Sequence, residues 1–168
     1  MVALVMWSSF LALAAPAADG PTPSAVPAVL NGAWQLDAKA SEPLDPILKA
    51  LGYGWLARRI MRALAVKQKI RTTAKGVAVR VMTRFSDDTI VMPFNNVWAP
   101  GRTLDGGETQ RRSRWAKDSP TLITEDRFTH GLLITRRQRV GPRVMHEALE
   151  FRAPGQATLR AVRVFRRP

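Results

Sequence analysis

Arginine is the residue type through which this chain could do chemistry. Arg163 and Phe165 stand two apart in a C-terminal β pattern, so they share a face with Leu159 and Ala161. Leu132, Ile134, Arg136 and Gln138 share a face in the same way. A guanidinium on an otherwise apolar face is costly unless it is paired. Either such faces are interior and their arginines await an anion, or the register is inverted and the arginines are solvated. Glu147 alternates with Met145, Leu149 and Phe151. It either enters the same interior and pairs with an arginine, or marks an outward face. Arg111, Arg112, Arg114 and Trp115 put basic and aromatic groups side by side, as a strand-borne nucleic-acid platform would.

Other chemistry finds no support. His130 stands beside a turn glycine and His146 inside a strand pattern, each alone, and both read as structural. There is no P-loop, no G-x-G-x-x-G and nothing like a nucleophile elbow. The chain has no cysteine, which excludes a disulfide framework and a thiolate metal site. No catalytic residue, metal or cofactor is expected. The balance of 26 Lys plus Arg against 13 Asp plus Glu gives a formal net charge of +13. That excess suits an anionic partner (a nucleic acid, an acidic membrane or a charged small ligand) or is simply a solvated basic surface.

The elements that must position these residues are mostly strands. The 168 residues suffice for one domain with a real core. Residues 1–18 read as a signal peptide, apolar through Ala15 and ending in small residues, which implies secretion or periplasmic export. The lack of any Lys or Arg before Lys39 leaves an uncleaved anchor or an organelle leader as alternatives. Residues 19–28 form a Pro-rich linker, and residues 29–168 the folded domain. Val29–Ala38 is the first strand. Nine more follow at short spacing, over Val66–Thr73, Val77–Phe85, Thr89–Phe94, Val97–Arg102, Glu108–Trp115, Thr121–Phe128, Leu132–Arg139, Arg143–Arg152 and Ala157–Arg166. Val77, Val79, Val81, Thr83 and Phe85 alternate strictly and predict one face of the third strand.

Between the first two strands lie two short helical patterns. Leu44 to Leu51 is apolar on one side, with Ser41 as N-cap, Pro43 at the first helical position and Gly52 as the break. Gly54 to Leu64 sets Leu56, Ile60 and Leu64 against Arg58, Arg59 and Arg62, which predicts that the arginines face solvent. Helices of two or three turns cannot stand alone, so the pair must lie on the sheet. Closing ten strands into an antiparallel barrel removes the edges, and the helix pair can then cap an open end. The fold class is therefore all-β.

These residues resemble the fatty acid-binding protein family, the intracellular branch of the lipocalin-like barrels. That family opens on G-x-W-x-L, here Gly32, Trp34 and Leu36. It continues as S-E-N-F-D-x-Y-L-K-x-L-G-V-G, matched by Ser41, Glu42, Pro43, Leu44, Asp45, Ile47, Leu48, Lys49, Leu51, Gly52, Tyr53 and Gly54. Trp55, Arg58 and Arg59 extend the likeness. Beyond Val66 it rests on strand count, the turn at Thr103, Asp105 and Gly106, and the final Arg163-Val164-Phe165. The resemblance implies a ten-strand β-clam with a helix-turn-helix portal, and non-enzymatic transport of a long-chain fatty acid by a monomer. It implies that the ligand carboxylate meets Arg163 and Arg136, with Phe165 where the family has a tyrosine. That lost hydroxyl points as an alternative to a neutral lipid such as a retinoid or sterol. Pro43 stands for the family's asparagine, and the leader and the high charge also depart from its pattern. The nucleic-acid reading becomes a minor alternative. Arg58, Arg59 and Arg62 are expected to touch an anionic membrane surface during ligand transfer.

Overall fold

The computed structural model describes residues 28–73, 75–102 and 107–168. The expected leader, the linker up to residue 27 and the turn at 103–106 lie outside the described residues. The described chain opens with a 3-10 turn at Ala28–Leu30, ahead of the strand expected there. Then come β1 (Gly32–Asp37), α1 (Asp45–Ala50), α2 (Trp55–Ala63), β2 (Lys67–Thr73), β3 (Gly76–Met82), β4 (Asp87–Pro93) and β5 (Ala99–Arg102). The second half holds β6 (Glu108–Trp115), β7 (Thr121–Phe128), β8 (Gly131–Gly141), β9 (Val144–Arg152) and β10 (Leu159–Arg166).

All ten strands form one antiparallel sheet, in the order β4-β3-β2-β1-β10-β9-β8-β7-β6-β5. The first and last strands pair through Gln35 with Arg166, Leu36 with Phe165 and Asp37 with Val164. The ladder does not continue from β4 to β5, so the edges are not wholly removed. Ser113 Oγ donates to the Pro93 carbonyl at 2.7 Å and draws the two sides of that slit together. The result is a β-clam with the helix pair between its first two strands, as the sequence predicts.

The inner face carries two apolar clusters. One is built on Leu30, Trp34, Ile70, Val77, Val79, Met92, Leu122, Met145 and Phe165. Trp34 is fixed there by an Nε1 bond to the Leu30 carbonyl at 2.8 Å, and Arg167 lies over its ring at 4.9 Å. The other joins Ile47 of α1 to Phe151 and Ala161, with Leu44, Leu51, Leu133, Leu149 and Leu159 around them. Burying Ile47 contributes about 1.5–3 kcal/mol, which is what holds so short a helix on the sheet.

Three local expectations change. Ser41 caps no helix. Its hydroxyl bonds the Asp37 carbonyl at 2.7 Å and accepts from Val164 N–H at 2.9 Å, and Glu42 exchanges bonds with Val162. These residues strap the chain to β10, whose backbone groups compete successfully for the short polar side chains. The helix starts instead after Leu44, with Pro46 rather than Pro43 in its first turn. Val77, Val79 and Val81 do point inward, but β3 ends at Met82 and Phe85 is exposed. Thr83 Oγ1 accepts from the N–H groups of Phe85 and Ser86 there, turning the chain before the alternation is complete.

Candidate functional site

Antiparallel pairing places Arg163 of β10 opposite Glu147 of β9, and Glu147 opposite Arg137 of β8. The three lie side by side on the inner face, between the two apolar clusters. Glu147 is only 2% exposed. Its Oε1 lies 2.7 Å from Arg137 Nη2 and accepts from Gln68 Nε2 of β2, across the barrel, at 3.1 Å. Its Oε2 accepts from Arg163 Nη1 at 3.4 Å. Burial pushes the Glu147 carboxyl up, but the charges of Arg137 and Arg163 and the bond from Gln68 outweigh it and hold it below its ordinary value. Arg163 also lies over the Phe165 ring, 5.1 Å from its centroid. Two buried atoms of this cluster, Arg137 Nε and Gln68 Oε1, find no partner among the described residues.

A second buried pair adjoins the first. Arg111 of β6 donates from Nε to Asp126 Oδ1 of β7 at 2.6 Å. Here burial wins and raises the Asp126 pKa, against the opposing charges of Arg111 and Arg137. Nearby, Thr124 Oγ1 reaches Met92 Sδ at 3.7 Å, and Trp115 packs tilted on Phe94 at 5.7 Å between centroids.

The sequence-predicted residues divide between the two faces. Arg163 and Phe165 face inward. Arg136 does not, which corrects its expected place beside them. It reaches Glu150 Oε2 at 3.4 Å on the outer face, where Arg152 and Arg160 bond the same carboxylate. The inner side of β8 carries Leu133, Thr135 and Arg137 instead. The misleading residue is Ile134, 4% exposed although it lies on the outer face. Glu125 and Glu150 flank it in the ladder, and each holds arginines on that same face. Once Arg163 is taken as inward, pairing parity through β9 selects Arg137, so that signal was present. Gln68, in the alternating Lys-Gln-Lys of β2, carried none.

The basic-aromatic run also splits. Arg111 and Trp115 point inward, while Arg112 and Arg114 clasp Glu125 on the outer face. Arg112 and Arg127 both lie over Trp98, at 4.5 and 4.1 Å from its ring centroid. No flat platform joins the four residues.

On α2 the expected orientation is corrected for Arg58, Leu56 and Ile60. Arg58 is 17% exposed and turned toward α1, donating to Asp45 at 3.1 Å and to the Tyr53 carbonyl at 2.8 Å. Arg62 reaches the same Asp45 oxygen at 3.0 Å from an exposed position, and Arg59 covers Trp55 at 5.5 Å. Trp55 and Leu56 are 64% and 61% exposed, and Ile60 is exposed beside them. The carboxylate of Asp45 competes for the arginine, and α2 turns Trp55, Leu56 and Ile60 outward.

No family model matches the sequence, and no curated protein matches it. Solved structures do match. The REP1-NXSQ fatty acid transporter superposes with a TM-score of 0.72 at 22% identity, over 84% of this chain and 98% of its own. A Schistosoma mansoni fatty acid binding protein in complex with arachidonic acid gives 0.71 at 16% identity, over 86% and 99%. Echinococcus granulosus fatty-acid-binding protein 1 gives 0.71 at 14%, over 83% and 97%. The chain has the fold of the fatty acid-binding proteins.

Proposed function

We propose that this chain binds a long-chain fatty acid or related amphiphile inside its barrel and carries it, without catalysing a reaction on it. The observation that carries the reading is the buried cluster of Arg137, Glu147, Arg163 and Gln68, flanked by apolar side chains on both sides. A polar head belongs at that cluster, with Phe165 beneath Arg163. An acyl chain along the apolar inner face gains ~0.8 kcal/mol per buried CH₂. The neighbouring structures, named for fatty acid transport and binding, support the same class of ligand. Delipidated protein titrated with oleate and its chain-length relatives is expected to bind one molecule saturably, seen by calorimetry and native mass spectrometry. Failure to bind any long-chain amphiphile overturns the reading.

The exposed Trp55, Leu56 and Ile60, with Arg59 and Arg62 among them, support a lid that enters the interface of an anionic bilayer during transfer. The leader read over residues 1–18 supports action after export, which N-terminal sequencing of the protein recovered from its source tests.

A further inference from the structure

We propose that the end of the barrel opposite the helix pair is a second docking face, for an anionic bilayer. This face is separate from the lid and does not depend on what the barrel holds. Antiparallel order puts the β2–β3, β4–β5, β6–β7 and β8–β9 connections at that end, with the entry to β1 and the tail after β10. Lys75, Lys117, Arg139, Arg143 and Arg167 stand on these segments. Among the described residues, Asp118 is the one acidic side chain on them. None of the five basic residues pairs with an Asp or Glu among the described residues. At the lid end, by contrast, Asp45 takes Arg58 and Arg62, and Asp87 takes Arg80. A carboxylate at Pro168 would offset one more charge besides Asp118, and the face stays basic.

Three of these guanidiniums are held by main-chain oxygens. Arg139 donates from Nε to the Gly141 carbonyl and from Nη2 to that of Pro142, each at 2.9 Å. Arg143 Nη2 donates to the Arg167 carbonyl at 3.2 Å and to the Pro168 oxygen at 3.0 Å. Arg167 Nη2 donates to the Asn31 carbonyl at 2.9 Å. A carbonyl fixes a guanidinium without cancelling its charge, and a guanidinium has five N–H donors to share with phosphate oxygens. Two features select a bilayer over a soluble polyanion. Exposed apolar residues lie at the same end: Val140, 50% exposed, stands with the exposed Pro142 between Arg139 and Arg143, and Val97 of the β4–β5 connection is 58% exposed. An apolar tip flanked by arginines gains by entering a membrane interface, and gains nothing from a nucleic-acid backbone or a free phosphate. Residues 1–27, apolar through Ala15, also join the fold at this end, through the exposed Ala28. Retained as an anchor, that segment would hold this face against the membrane.

A chain without cysteine allows a single reporter. Val140→Cys in the full-length chain, labelled with an environment-sensitive fluorophore, is mixed with vesicles containing phosphatidylserine. Its emission is expected to strengthen and move to the blue, and to return in about 1 M salt, where the Debye length falls to about 3 Å. Vesicles of phosphatidylcholine alone are expected to leave it unchanged. A reporter unmoved by the acidic vesicles overturns the proposal, and so does an equal response to both vesicles. Inorganic polyphosphate producing the same response makes the partner a soluble polyanion and overturns it as well. Lys75→Ser, Lys117→Ser and Arg143→Ser together, all at exposed positions, are expected to weaken the acidic-vesicle response at least about tenfold. Should that variant not fold by circular dichroism, the reporter in the otherwise unaltered chain still decides. Leu56→Ser with Ile60→Ser is expected to leave the reporter's response in place. Its loss in that variant means that only the lid meets the bilayer, and overturns the second face. Oleate binding is read on the same sample by native mass spectrometry, and its failure counts against the carrier reading alone.

Discussion

Glu147 does the work at the centre of the barrel that a bound anion would do, and single substitutions around it should reflect that. Glu147→Ala leaves Arg137 and Arg163 buried and uncompensated, and is expected to cost about 3–5 kcal/mol, read as a lower urea midpoint. Arg137→Gln removes one partner of the same carboxylate and should fall in a similar range. Arg136→Gln, one residue away, touches only Glu150, whose carboxylate keeps Arg152 and Arg160, and Arg136 is itself 38% exposed. It should change stability by less than about 1 kcal/mol and leave ligand affinity unaltered. The pH dependence has a definite sign. Glu147 titrates below its ordinary value of 4.5 in the fold, so its stabilisation is present above that value and is lost as pH falls through the folded pKa. Asp126, raised by burial, acts oppositely and gains as pH falls. Urea midpoints measured downward from neutral pH should drop once acid reaches the carboxylate range. Glu147→Gln should flatten that drop, and Asp126→Asn should steepen it. Sequence reasoning reached half of this site. It placed Arg163 and Phe165 on one face and allowed Glu147 inside, but chose Arg136 over Arg137. The alternation of β8 is ambiguous because Ile134 is buried although it lies on the outer face, between Glu125 and Glu150.

Among the elements, the strands were legible to within three residues at each end, because period-two alternation and glycine- or proline-marked turns are local signals. Gly52, with φ of 89°, ends α1 as its position suggests. The orientation of α2 was not legible, because Asp45, thirteen residues earlier, decides it by taking Arg58. That reversal alters the expected membrane contact. Fluorescent-ligand transfer to anionic vesicles should rise with vesicle concentration and fall with salt. Leu56→Ser with Ile60→Ser should slow it severalfold at any salt, because the apolar face is what enters the interface. Arg59→Ser with Arg62→Ser should weaken chiefly its salt dependence, at about 1 kcal/mol per charge. Arg58→Ser should instead loosen the lid from α1 and speed spontaneous ligand release into water. A transfer rate indifferent to vesicle number in the unaltered chain would remove α2 from the mechanism.

At the scale of the whole molecule, the net charge of +13 suited an anionic partner or a solvated basic surface; Glu125, Asp126, Glu147 and Glu150 each hold arginines, and the surplus of basic residues remains beyond such pairs. Composition could not disclose that pairing, which exists only once the strands are in register. The strand order holds one more consequence. Every neighbouring pair in the sheet is consecutive along the chain except β1 with β10, and the unpaired edges β4 and β5 are themselves consecutive. The two ends of the described residues meet at that exceptional pair, where Arg167 bonds the Asn31 carbonyl at 2.9 Å. Bringing β10 to β1 is therefore the step that must close the longest loop, and it should limit the folding rate. A circular permutant that joins Pro168 to Ala28 through a short linker and opens between Asn95 and Asn96 turns the sheet into an uninterrupted meander from β5 to β4. Its β1–β10 contacts become local, at the same set of strand pairs, while the bond between Ser113 and Pro93 becomes a contact between its two ends. Stopped-flow refolding of the permutant should be faster by at least about tenfold than that of the natural chain, while the two unfold at nearly equal rates in urea.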